Sequence, residues 1–182
     1  MTKKKKNSAT HKRWQDHIRD VPDFPKPGII FKDITPLVAD GDAFSAVVSE
    51  LACHVDSDVD AIVGIESRGF IFGAALAQQL GLGLITVRKP GKLPSRVHSV
   101  EYELEYGMDR LEVHRDALTA GHKVVVIDDL LATGGTAAAT VKLIRQLGAE
   151  VAACLFVIEL SFLHGRKALK NVNVHSLMHV DE

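Results

Sequence analysis

Asp128 and Asp129 stand at the end of an apolar run, 124–127, and are followed by Leu130, Leu131 and then Ala132-Thr133-Gly134-Gly135-Thr136. The run of Val and Ile reads as a buried strand, and the residues after the glycines as a helix. A strand that enters a small-residue loop and then a helix N-terminus is an anion site. The first helical amides lack intrahelical acceptors, and the helix dipole favours negative charge there. Thr133 and Thr136 add hydroxyl donors. The two acids would repel a bare phosphate. They fit a sugar phosphate whose hydroxyls, together with a metal ion, face them. A nucleotide P-loop is excluded, because no Gly-Lys-Ser/Thr follows the loop. A dinucleotide fingerprint is excluded too, since its acid falls about 20 residues after the glycines rather than before them.

Three other segments carry chemistry. Glu66-Ser67-Arg68-Gly69 follows a short apolar run at 61–65 and opens a helical pattern, which repeats the strand–loop–helix logic. Arg88, Lys89 and Lys92 lie in a basic loop with Pro90, Gly91 and Pro94, after a second apolar run at 84–87. Such a loop suits electrostatic stabilisation of a departing anion. In 101–107, Tyr102, Leu104 and Tyr106 alternate with three glutamates, the pattern of a two-stranded flap.

Bulk properties narrow the field. A chain of 182 residues suits one domain with a sizeable core. Its net charge of −1 gives no electrostatic case for nucleic acid or a membrane surface. The Lys3–Lys6 run is the exception and reads as a solvated tail within 1–10. No apolar run is long enough to span a membrane, and no apolar segment of a secretory signal follows the lysines. Cys53 and Cys154 are isolated, Cys154 in an apolar run, and neither His nor Cys has metal-ligand spacing. A reducing cytoplasm fits.

The elements that must position these groups alternate. A short helix is expected at 11–18, irregular Pro-rich chain at 21–36, and a helix after Asp42 as cap, with Phe44, Val47, Val48 and Leu51 inward. Strands follow at 61–65, 84–87, 124–127, 151–158 and 173–178. Helices are expected at 70–80, 136–147 and 164–169, with a polar, turn-rich stretch at 90–107. This order predicts an α/β fold with a mainly parallel sheet flanked by helices, whose ligands bind beyond the carboxyl ends of the strands.

The segment 124–136 resembles the ribose-phosphate signature of the type I phosphoribosyltransferases. The resemblance extends from about Asp20 to Met178, with the motifs in the family's order. It implies that family's fold, with an N-terminal hood at 21–36 and a mobile lid at 90–107 in a single domain. The Glu-Tyr-Gly lid and the hood around Phe31 resemble one branch in particular, which transfers the phosphoribosyl group to adenine. Carried over, the resemblance implies that Asp128, Asp129, Ala132, Thr133, Gly134, Gly135 and Thr136 bind the sugar phosphate. Glu66, Ser67, Gly69, Arg88 and Lys92 belong to the same substrate, 5-phosphoribosyl 1-diphosphate. Glu105, Tyr106, Arg68 and Lys89 are the implied catalytic residues, Glu105 toward N7 of the base and Tyr106 toward the reacting sugar. Ile30, Phe31, Lys32 and Leu130 are the implied adenine contacts. Some family members carry Arg where this chain has Lys32. Mg²⁺ is expected, held mainly through substrate and water with Asp128 and Asp129 nearby. AMP and diphosphate are the implied products, and a homodimer the implied assembly. The alternatives are another base, such as xanthine, hypoxanthine or orotate, or a sensor of the sugar diphosphate without turnover.

Overall fold

The computed structural model describes residues 13–104 and 107–182. The Lys3–Lys6 run and the lid residues Glu105 and Tyr106 lie outside the described residues. The chain divides into two compact units, Met1–Val47 and Val48–Glu182.

In the first unit a 3-10 turn, Trp14–His17, leads into an antiparallel pair, β1 (Arg19–Pro22) and β2 (Ile30–Asp33). Two expectations are corrected here. The helix expected at 11–18 is a single 3-10 turn among its described residues, closed by Asp16 accepting the Arg13 amide at 3.1 Å. The Pro-rich stretch is a hairpin rather than irregular chain. Its prolines spare the ladder, because Pro22 sits at the last register position, opposite Ile30, and Pro25 and Pro27 fall in the connection. The Arg19 guanidinium holds Asp33, and Lys32 reaches Asp20 at 2.7 Å. A short helix, α1 (Thr35–Ala39), carries Pro36 in its first turn, where a missing N–H costs nothing. The next helix, α2 (Gly41–Ala52), runs across the boundary between the units. Its cap is Asp40, not Asp42: the Asp40 carboxylate accepts the Ala43 amide at 2.9 Å.

The second unit is built on five parallel strands: β3 (Ala61–Ile65), β4 (Gly83–Val87), β7 (Lys123–Leu131), β8 (Glu150–Leu160) and β9 (Asn173–Val180). Their order is β4-β3-β7-β8-β9. Helix α3 (Gly69–Leu80) links β3 to β4, and α4 (Gly135–Gln146) links β7 to β8. The chain therefore leaves β3 in one direction and β7 in the other. On one face Val63, Ile65, Val124, Val126 and Phe156 pack with Ala137, Val141 and Ile144 of α4. On the other, α3 comes so close that a Cβ on Gly73 would lie 3.1 Å from Leu84 and 3.2 Å from Ile127. Gly81, at φ 70°, ends α3 as a left-handed cap.

The expected strands, and the helices expected after Asp42, at 70–80 and at 136–147, are present with their ends moved. The two-stranded flap expected around 101–107 is longer than its pattern: β5 (Val97–Leu104) and β6 (Gly107–His114) pair as an antiparallel hairpin, so the turn-rich reading of 90–107 is corrected from Val97 onward. Val100, Leu111 and Val113 bury its inner side against the α4 face of the sheet. The helix expected at 164–169 is instead two 3-10 turns, Ser161–Leu163 and Gly165–Ala168.

Candidate active site

β3 pairs with β7 only as far as Gly64 opposite Ile127, while β7 stays paired with β8 to Leu131 opposite Glu159. The two central strands part at Asp128. This is the point where strand order reverses, the place at which open parallel sheets bind ligands. The acids thus lie within β7 rather than in the loop after it, a correction to the strand boundary at 127. Their position is fixed by the β8 ladder on one side and by a very close neighbour on the other. A Cβ on Gly69, the first residue of α3, would sit 2.7 Å from the Ile127 carbonyl and 3.0 Å from Asp128 Oδ1. Only glycine lets this helix start so near the strand.

The loops that leave the carboxyl ends of β3, β4 and β7 converge here. Glu66, Ser67, Arg68, Lys89, Asp128, Asp129 and Thr136 line one cavity of about 340 Å³, together with Tyr102, Asp109 and Leu111 of the hairpin. A smaller hollow of about 90 Å³ shares Asp128 and Thr136 and is lined by Leu130, Ala132, Thr133, Gly134 and Gly135. It opens on the N-terminus of α4, where Gly134, at φ 84°, turns the chain into the helix. The two hollows adjoin at Asp128 and Thr136, which line both. A larger hollow of about 370 Å³, between α4 and residues 168–172, lies apart from these groups.

Burial pushes both acids above the ordinary carboxylate range. Asp128 is raised furthest, by desolvation and by the neighbouring Asp129 charge, and Asp129 is partly drawn back by Arg68. Arg68 Nε lies 2.9 Å from Asp129 Oδ2. Two desolvated carboxylates side by side favour a ligand that brings hydroxyl donors or a cation. Among the described residues no three His, Cys, Asp or Glu converge as a metal site.

The expected cations divide. Lys89 is on the cavity wall, its ammonium 3.2 Å from Asp109. Arg88 and Lys92 are not among the lining residues. Arg88 meets Glu66 at 3.2 and 3.3 Å, stacks over Phe70 at 5.8 Å and donates to the Lys92 carbonyl. Burial would raise Glu66, but the Lys89 amide and Arg88 outweigh it and hold the carboxyl below its usual range. Leu130, expected on the adenine wall, lines the smaller hollow. Ile30, Phe31 and Lys32 belong to the first unit, where Phe31 meets Phe24 edge to face at 5.1 Å and Ile30 is exposed.

Sequence reasoning missed two sets of residues. Tyr102 and Asp109 face each other across the hairpin register and reach the cavity. The alternation in 101–107 placed Tyr102 on one side of a flap, but nothing local announced its partner seven residues on. The second set is remote. Cβ atoms built on Gly165 and Gly134 would collide with the carbonyl oxygens of Ala132 and Gly165 respectively, so the turn after β8 presses directly on the phosphate loop. Arg166 anchors that turn through Glu159 at 2.7 to 2.9 Å and the Val174 carbonyl at 2.8 Å.

Comparison with known proteins agrees with this geometry. The phosphoribosyl transferase domain family matches residues 38–175. The adenine phosphoribosyltransferase of Methylococcus capsulatus is 59% identical over 163 residues, 89% of this chain and 95% of that protein. The crystal structure of the Thermoanaerobacter pseudethanolicus adenine phosphoribosyltransferase matches with a TM-score of 0.89 at 50% identity, covering 92% of this chain and 98% of that one. The Saccharomyces cerevisiae enzyme, crystallised with an imino-altritol bisphosphate and adenine, matches with a TM-score of 0.84 at 41% identity, covering 90% and 96%. The chain belongs to the phosphoribosyl transferase family, in the branch of the adenine phosphoribosyltransferases.

Proposed function

We propose that the chain transfers the 5-phosphoribosyl group from 5-phosphoribosyl 1-diphosphate to adenine, giving AMP and diphosphate, a purine salvage reaction. The observation that carries this is the parting of β3 and β7 at Asp128, which puts an acid pair between a phosphate loop and a lysine-bearing wall. The yeast relative's complex with adenine and a bisphosphate supports the choice of base.

In this scheme the amides and hydroxyls of residues 132–136 hold the 5-phosphate. Asp128 and Asp129 accept the ribose hydroxyls. Ser67, Arg68 and Lys89 face the diphosphate, with Gly69 keeping the loop close. Glu66, Arg88 and Lys92 order the walls behind it. Ile30, Phe31 and Lys32 are the proposed adenine contacts of the first unit: an aromatic face for the ring and backbone groups for its edge. Leu130 joins them by resemblance alone. C1 of the ribose loses its bond to the diphosphate oxygen, which keeps the electron pair, and gains one to N9 of adenine, whose proton is given up. Positive charge develops on the sugar, so positioning and electrostatics dominate. Glu105 and Tyr106 act from the lid, toward N7 and the sugar.

Two hard, desolvated carboxylates fit the surroundings of a Mg²⁺ ion carried by substrate oxygens and water, which would neutralise the leaving diphosphate. Two free cysteines, Cys53 exposed and Cys154 buried with its thiol pushed up to about 12, suit a reducing cytoplasm. A homodimer is proposed by resemblance, and sedimentation velocity checks it. Among the described residues no helix is long and apolar enough to cross a membrane.

The test is a nucleobase panel with the sugar diphosphate and Mg²⁺, read by diphosphate release. Adenine should turn over, and hypoxanthine, xanthine and orotate should not. Saturable binding of the sugar diphosphate without AMP formation would replace the enzyme by a sensor.

A further inference from the structure

A continuous polar chain crosses the wall of the cavity that Asp128 and Asp129 line. Thr136 Oγ1 donates to the Tyr102 hydroxyl oxygen at 3.3 Å, and the Tyr102 hydroxyl donates to Asp109 Oδ2 at 3.2 Å. Lys89 Nζ lies 3.2 Å from the same Asp109 oxygen. One end is on the phosphate helix α4 and the other on the loop after β4. Both ends are groups that a phosphoribosyl diphosphate would claim, one at its 5-phosphate and one at its diphosphate.

We propose that Tyr102 and Asp109 set the affinity for the sugar diphosphate by engaging Thr136 and Lys89 in the free protein, so that the substrate competes for both ends of the chain. This rests on the phosphoribosyl diphosphate reading of the cavity.

The competition differs at the two ends. A threonine hydroxyl has one hydrogen, so the bond given to Tyr102 is withheld from a phosphate. Lysine has three, so Lys89 can touch Asp109 and a phosphate together. There the cost is charge, because the Asp109 carboxylate would remain beside an incoming diphosphate. Burial raises the Tyr102 hydroxyl, which therefore keeps its proton and acts as a donor to Asp109. Burial also opposes ionisation of Asp109, but the Arg110 amide and Lys89 outweigh it and keep the carboxyl below its usual range. The chain is thus charged and fully directed at neutral pH.

Two variants separate the ends, each read by calorimetric titration of the intact protein with diphosphate plus Mg²⁺ and with ribose 5-phosphate. Asp109→Asn removes the charge and keeps the shape. It should bind diphosphate about two- to fivefold tighter, the range of a partly exposed pair, with ribose 5-phosphate unchanged. The gain should shrink as salt is raised, which a purely structural effect would not do. Tyr102→Phe frees the Thr136 hydroxyl. It should bind ribose 5-phosphate about two- to tenfold tighter, the range of one hydrogen bond, with diphosphate not improved. Matched thermal melts check folding. Equal or weaker binding by both folded variants, with wild type binding both ligands, overturns the competition and leaves the site reading intact. Wild type that binds neither ligand overturns the site reading, and the competition with it.

Discussion

Arg88 and Lys89 are neighbours in a basic loop, and residue type alone assigned both to the diphosphate. Their surroundings separate them. The Arg88 guanidinium is held by Glu66 and the Phe70 ring, while the Lys89 ammonium looks into the cavity. Arg88→Ala should therefore cost about 1.5–3 kcal/mol of stability, the scale of hydrogen bonds to a charged group, because Glu66 is left with the Lys89 amide alone. Urea denaturation measures it. Lys89→Ala should leave stability within about 0.5 kcal/mol and weaken diphosphate binding about tenfold or more, the loss of a charge-assisted contact. Equal stability losses in the two variants would return Lys89 to a structural role. Glu105 is argued from resemblance. Glu105→Ala should lower kcat on the order of a hundredfold, the lower range for a lost proton-transfer group, with the adenine KM little changed. An unchanged kcat with a raised KM would make Glu105 a binding residue.

At the scale of elements, the phosphate loop depends on a turn about thirty residues downstream. Gly165 lies under it so closely that a methyl group would meet the Ala132 carbonyl and come within 2.9 Å of Leu131 Cδ1. Gly165→Ala should cost about 1–3 kcal/mol as overpacking. It should also weaken ribose 5-phosphate binding while leaving diphosphate binding alone, because only the loop at 132–136 is displaced. Equal losses for the two ligands would mean the whole site had moved. This dependence was not legible in the sequence, where Gly165 falls within an expected helix at 164–169 and its contact is purely tertiary. What was legible had a local cause. The apolar run at 124–127 and the glycines at 134–135 gave strand and helix in register. Gly81 and Gly148 stopped their helices through left-handed backbone. What failed had a distant cause. β7 runs on through Asp128 and Asp129 because β8 pairs with it there, and no propensity for Asp in a strand would suggest that. The hairpin at 97–114 was legible only in part, as a two-stranded flap around 101–107, since its inner residues, Val100, Leu111 and Val113, are few and find their burial only against α4 and the sheet. Tyr102 and Asp109 entered the site by the same hairpin register.

Over the whole molecule, two groups of carboxylates respond to pH in opposite directions. Glu159, almost fully buried, is held below its usual range: burial raises it, but Arg166 and Ser176 more than offset this. Asp33, Glu66 and Asp109 are lowered as well. A lowered group stabilises the fold above its unfolded pKa, about 4, and that contribution is lost as pH falls through the folded value. Asp128 and Asp129 are raised, so their sign is reversed. Protonated, they cost nothing extra. The cost begins as pH rises past about 4 and is complete above their folded values, so at neutral pH the site is kept at the expense of stability. Asp128→Asn with Asp129→Asn should therefore melt higher than wild type at pH 7 and at nearly the same temperature at the acid end, the gap widening between. Loss of the Arg68 partner subtracts little, because that side chain is about one-third exposed (32%) and can be solvated. Turnover of the same protein should fall on the order of a hundredfold or more, as for a misplaced substrate. Melting curves across pH read the first effect and diphosphate release reads the second. A double variant less stable than wild type at neutral pH would mean that Arg68 and neighbouring amides compensate the buried acids fully, and that the pair serves the fold as well as the ligand.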